Sequence, residues 1–119
     1  MTLAQFATLG AFAVVAAGMA CEDPYGSGGG CTSATTPNVN IHVSQFCPAS
    51  RTIANGTTVT WTNLDGITHT STSDASSSET WSSGSVASNG TFSHQFNTNG
   101  TFPYHCAIHP AMHGTIVVQ

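Results

Sequence analysis

The stretch Tyr104–Gly114 reads YHCAIHPAMHG and holds one cysteine, three histidines and one methionine. All five side chains are metal donors, and two spacings overlap in them. Cys106-x2-His109-x3-His113 looks like half of a zinc site, which takes four tight nitrogen and sulfur ligands. Cys106-x2-His109-x2-Met112 offers a thiolate, an imidazole and a weak thioether, most of the set that a trigonal copper site takes. Either site needs another donor from elsewhere in the chain.

The elements around the stretch narrow the choice. In TFPYHC, residues 102, 104 and 106 share one face of a strand. Phe102 and Tyr104 are apolar, so Cys106 ends an inward-facing row and His105 points the other way. His105 is therefore not expected on the same ion as Cys106. A short loop, stiffened by Pro110, then carries His109 and Met112 before Gly114–Val118 returns as a strand. Structural zinc sites draw their ligands as close pairs, and no second C-x2-C or H-x3-H exists in the chain. Copper needs one further imidazole. His69, in WTNLDGITHT, follows the Asp65-Gly66 turn, and a sandwich gathers such loops at one end. His113 stays open as a replacement for Met112. His42 reads as a surface residue on the polar side of its strand. His94 shares parity with Phe92 and Phe96 and reads as a strand-end or hydrogen-bonded core histidine.

The supporting pattern is all-β. Asn38–Phe46 alternates, with Val39, Ile41 and Val43 on one face, and is expected as one half-buried strand. Asn55-Gly56 is a hairpin signal. Thr57–Asn63 is rich in β-branched residues, with Val59 and Trp61 on one face. Thr68–Ser73 is expected to be extended, residues 74–85 to form a polar loop around Trp81, and Thr91–Phe96, Thr101–Cys106 and Thr115–Val118 to complete the set. Trp61, Trp81, Phe92 and Phe96 are assigned to packing. No window after residue 20 has helical apolar spacing. Six to eight short strands over residues 36–119 imply an all-β Greek-key sandwich or small barrel.

The N-terminal part differs. Residues 3–20, LAQFATLGAFAVVAAGMA, carry no charge and end in small residues before Cys21. Residues 1–20 are expected to be a signal peptide or membrane anchor, although no Lys or Arg precedes the apolar run. The run is slightly shorter than the roughly 20 apolar residues that span a bilayer. Cys21 in AGMAC resembles a bacterial lipoprotein box, with Gly18 where that pattern prefers Leu. Residues 21–35 include EDPYGSGGG and read as a flexible linker. An exported domain, periplasmic or at the cell surface and tethered through a lipidated Cys21, is the expectation. Cysteines outside the cell usually pair. If Cys21 carries lipid and Cys106 binds metal, Cys31 and Cys47 remain, and this pairing is favoured over Cys21 with Cys31, which would close only the loop around SGGG.

One Arg, no Lys, five acidic residues and 32 Ser and Thr make a surface of hydroxyls rather than charges. Nucleic-acid binding needs a basic footprint, so no nucleic-acid partner is expected. Partners must be recognised by shape and apolar contact.

Together the parts TVTWTN, HT at His69, FSHQFNTNGTFPYHC and AIHPAMHGTIVV resemble the blue-copper cupredoxins, which include plastocyanin, amicyanin and pseudoazurin. The resemblance runs from Val39 to Val118, and the short 106–112 loop is most similar to that of amicyanin. It implies one type 1 copper held by His69, Cys106 and His109, with Met112 as the weak axial ligand. Relatives often place Asn after the first ligand histidine; here Thr70 stands there, and its hydroxyl can still latch the loops together. The function implied is a monomeric one-electron carrier. Its exit would be the exposed edge of His109, in an apolar patch of Gly66, Ile67, Pro110, Ala111 and Met112 where redox proteins dock transiently. A copper-delivery lipoprotein with no electron-transfer partner is the alternative. Catalysis is not expected, because a saturated copper leaves no position open to substrate.

Overall fold

The computed structural model describes residues 30–119; the readings of residues 1–20 and of Cys21 lie outside the described residues. Eight strands form: β1 Val39–His42, β2 Gln45–Cys47, β3 Ser50–Ile53, β4 Thr58–Asn63, β5 Thr72–Ser73, β6 Thr91–Gln95, β7 Gly100–His105 and β8 His113–Val118. They make two four-stranded sheets, ordered β2-β1-β4-β6 and β3-β8-β7-β5. The β1–β4 and β3–β8 pairs are parallel and the others antiparallel. This is the all-β sandwich expected, and the described residues contain no helix.

Period-two burial explains the layers. Val59, Trp61 and Asn63 of β4 face inward, as do Phe102 and Tyr104 of β7 and Ile116 and Val118 of β8. Trp61 centres the core, with its ring 5.5 Å from Tyr104, 5.8 Å from Phe92 and 6.1 Å from Trp81. The long polar loop is anchored by Trp81, whose Nε1 donates to Ser71 Oγ at 3.0 Å. His94 stacks on Trp81 with ring centres 5.2 Å apart, and its Nε2 pairs with Glu79 at 3.0 Å. Trp61, Trp81, Phe92 and Phe96 are thus packing residues, and His94 is a half-buried, hydrogen-bonded one.

Three local expectations need correction. Asn38–Phe46 is a hairpin, β1 and β2, rather than one strand. The chain reverses at Val43 and Ser44, both at positive φ (49° and 54°), and Val43 is exposed instead of facing the core. A β-branched residue seldom adopts that conformation, so the turn needs outside support, described below. Asn55-Gly56 does turn the chain, with Gly56 at φ 86°, but it makes no hairpin. It passes the chain between sheets, because β3 pairs with β8 and β4 with β1 and β6. Thr68–Ser73 is a strand only at Thr72–Ser73, while His69 forms an isolated bridge with Val86. The edge strand β3 carried no recognisable alternation and is an addition.

The Cys31–Cys47 disulfide forms and ties the N-terminal arm to β2. Arg51, the chain's one cation, is spent on that arm, donating to the carbonyls of Ala34 and Asn38 and to Thr36 Oγ1.

At the end of the sandwich that carries the 106–112 loop, β7 and β8 approach closely because Gly114 lies against Tyr104. A Cβ at Gly114 would overlap the Tyr104 ring. Gly114→Ala is therefore expected to destabilise the fold by about 1–3 kcal/mol, the usual cost of overpacking a core, read as a lower urea midpoint. An unchanged midpoint would mean that the Tyr104 ring yields freely.

Candidate metal centre

Two pieces of backbone place the inward-facing donors: the 106–112 loop and the segment that carries His69. Cys106 follows β7 directly and is fully buried. Its N–H donates to the Met112 carbonyl (3.1 Å), and the Met112 N–H donates to the His109 carbonyl (2.9 Å). These two bonds close the 106–112 loop into a tight turn that holds His109 half-buried and Met112 buried beside Cys106 in the core. His69 arrives from the segment that crosses between β4 and β5, on an isolated bridge to Val86. Its N–H and carbonyl both bond Val86 (3.2 and 2.8 Å), and its ring is fully buried.

His69 Nδ1, His109 Nδ1 and Cys106 Sγ converge. The two nitrogens are 3.1 Å apart, and the sulfur lies 3.9 Å from His69 and 3.6 Å from His109. A circle through three atoms with these separations has a radius of about 2.1 Å, close to the roughly 2.0–2.1 Å of metal–imidazole and about 2.3 Å of metal–thiolate bonds. Imidazole lone pairs that face each other at this distance repel unless a proton or a cation lies between them.

The surroundings fix the donors' chemistry. His69 Nε2 is 2.9 Å from Asp65 Oδ2. A carboxylate only accepts, so Nε2 carries the proton and Nδ1 keeps its lone pair toward the centre. Asp65 also accepts the N–H groups of Val43 (2.7 Å) and Ser44 (2.8 Å); this is the support the strained β1–β2 turn requires. Burial alone would raise the Asp65 pKa, but the Ser44 and Val43 amides together with His69 outweigh it and hold the carboxyl below its usual range. Asn63, inward-facing at the end of β4, shapes the same loop. Its side-chain amide donates to Ile67 and Val86 carbonyls (2.8 and 2.9 Å), and its Oδ1 accepts from Asp65 N–H (2.9 Å).

Thr70 performs the latching expected of its hydroxyl. Oγ1 accepts from the Ala107 N–H at 2.7 Å and bonds Thr72 Oγ1 at 3.0 Å. The Thr70 N–H donates to the Cys106 sulfur at 3.3 Å. The bond from Ala107 joins the two donor-bearing loops, and the bond to the Cys106 sulfur stabilises negative charge on the thiolate.

A model of copper-binding proteins of the plastocyanin/azurin family matches residues 34–119. The chain belongs to this family. Amicyanin-alpha of Methylorubrum extorquens is 32% identical over 119 residues, covering 98% of this chain and 92% of that protein. Among solved structures, an oxidised amicyanin variant superposes with a TM-score of 0.65 at 27% identity, covering 69% of this chain and 80% of that one. A purple cupredoxin from Nitrosopumilus maritimus gives a TM-score of 0.63 at 28% identity, covering 69% and 98%. The cofactor of this cupredoxin is copper, and the donor triangle suits it: one soft thiolate and two imidazoles in a buried cradle.

The structure brings His69, Cys106 and His109 together and buries Met112 in the same core cluster as Cys106. His105 lies on the opposite face, paired with Asp74, and His113 is exposed. Sequence reasoning missed Asp65 and Asn63. Asn63 did carry a signal, since it shares the buried parity of Val59 and Trp61, where a polar group must find partners. Asp65 was read only as a turn residue.

Asp65→Asn has one acceptor oxygen where the carboxylate has two. The variant is expected to lose about 10- to 100-fold in copper affinity, the usual effect of removing a partner that orients a ligating histidine, and to shift the reduction potential upward. Chelator competition and voltammetry read the two effects. Wild-type values for both would show that Asp65 serves only the turn.

Proposed function

We propose that this cupredoxin is a one-electron carrier in which His69, Cys106 and His109 would hold the copper, with Met112 as a weak thioether donor. The observation that carries the reading is the buried donor triangle already described, with sides of 3.1, 3.6 and 3.9 Å. Copper supplies a Cu(II)/Cu(I) couple when bound. The chain supplies constancy of geometry. A trigonal His2Cys set with a weak thioether lies between the preferences of the two oxidation states, and the Asp65 and Thr70 bonds resist rearrangement. Met112, buried and bonded through its carbonyl to the Cys106 N–H, fits the role of weak thioether donor better than His113, which is exposed.

His109 is the one donor of the three that reaches the surface, so its edge is where a partner's redox centre would approach most closely. Around this end the exposed apolar residues are Ile67, Ile108, Leu64 and Val43, beside exposed Gly66, Pro110 and Ala111. Met112, assigned to this patch from sequence, is buried and leaves it. A docking face with apolar residues and no Lys suits brief, charge-poor encounters with redox proteins. Full burial of Cys106 and His69 favours a carrier over a copper-delivery protein, which must release its ion.

In this reading, residues 1–20 direct export or anchor the chain, residues 21–35 act as a tether from Cys21, and residues 36–119 work as a monomeric domain in the periplasm or at the cell surface. The copper-loaded protein is expected to show an intense visible thiolate-to-Cu(II) band and a reversible one-electron couple. Ile67→Glu should slow electron transfer to the natural partner and leave that band unchanged. A colourless protein that passes its copper to an acceptor would replace the carrier reading with delivery, and unaltered transfer rates in Ile67→Glu would remove the docking face.

A further inference from the structure

The outer face of the β7–β8 pair carries a second set of donors that the copper centre does not use. His105, at the end of β7, stands directly opposite His113, at the start of β8. The neighbouring pair, Cys106 and Met112, shares a ladder bond from Cys106 N–H to the Met112 carbonyl. Bonded and non-bonded pairs alternate along an antiparallel ladder, so His105 and His113 form a non-hydrogen-bonded pair, the kind whose side chains come closest. Directly opposed residues have Cβ atoms about 4.5–5.5 Å apart. The two imidazole centres are 6.5 Å apart. His113 is exposed, and the His105 side chain is 30% exposed.

Asp74 decides the state of His105. Its carboxylate is hydrogen-bonded to His105 Nδ1, and its own N–H is tied to the Pro103 carbonyl of β7 at 3.0 Å. An accepting carboxylate puts the imidazole proton on Nδ1 and leaves Nε2 with a free lone pair. This is the carboxylate–histidine arrangement that orients metal-ligating imidazoles.

We propose that His105 and His113 form a surface binding site for a divalent first-row transition ion, with Asp74 as the residue that orients His105. Two neutral imidazoles suit Zn(II), Ni(II) and Cu(II), with Cu(II) the tightest of these, and water completes the coordination. The site lies back to back with the buried centre, because His105 is bonded covalently to Cys106. A cation there adds positive charge beside the buried thiolate and favours the reduced form of the inner couple.

The test is a calorimetric titration of Zn(II) into the copper-loaded protein, with the visible band and the reduction potential followed together. One equivalent of Zn(II) is expected to bind with the band retained and the potential moved upward. His113→Asn, a change at an exposed position, should weaken zinc binding at least tenfold and abolish the potential shift. Asp74→Asn should weaken binding about 10- to 100-fold, and His42→Asn should bind as wild type does. Absence of zinc binding to the copper-loaded wild type would overturn the proposal. So would unaltered affinity in His113→Asn, or loss of the band through displacement of copper. Wild-type affinity in Asp74→Asn would overturn the role given to Asp74.

Discussion

One carboxylate organises much of the metal end of this molecule. Asp65 accepts from Val43 and Ser44, holding the β1–β2 turn in a conformation that Val seldom adopts, and from His69, fixing which ring nitrogen faces the centre. The hairpin and the loop after β4, with its buried donor His69, therefore meet on two oxygen atoms. Thr70 plays the matching part on the other side, joining the His69 segment to the Cys106 loop through Ala107. With both contacts in place, the His69 imidazole and the Cys106 thiolate are held in register by the polypeptide.

The stiffness has a functional reason. A carrier transfers electrons quickly when little has to move between oxidation states, and a trigonal donor set suits both states of copper. The fold meets that requirement with short devices: a tight 106–112 loop closed by two backbone bonds, Gly114 packed under Tyr104, and an aromatic core built around Trp61. Strand parity also divides the chemistry of β7. Cys106 faces the core beyond Phe102 and Tyr104, while His105 one residue earlier faces outward to Asp74 and His113. Adjacent residues thus serve opposite faces of one sheet.

Much of this was legible in the sequence, for identifiable reasons. Alternation gave β4 and β7 and the inward row ending in Cys106, because period two is a local property. The donor spacing in the 106–112 loop was equally local. The convergence of His69 needed only the rule that sandwich loops gather at one end. What could not be read were features that depend on distant partners. The Val43–Ser44 turn lacks the Asn-Gly or Asp-Gly signature of such turns, and its support comes from a residue more than twenty positions away. Strand β3 alternates poorly and gains its order from pairing with β8. Asn55-Gly56 showed where the chain turns but not that the next strand joins the other sheet.

The central claim is that the polypeptide, rather than the ion, sets the positions of His69, Cys106 and His109. Crystal structures of the metal-free, oxidised and reduced protein test it most directly. The account predicts donor separations that agree across all three to within about 0.5 Å, the tolerance of a preorganised site. A metal-free or reduced structure in which His109 swings away, or in which the Asp65–His69 contact forms only with copper bound, would contradict it.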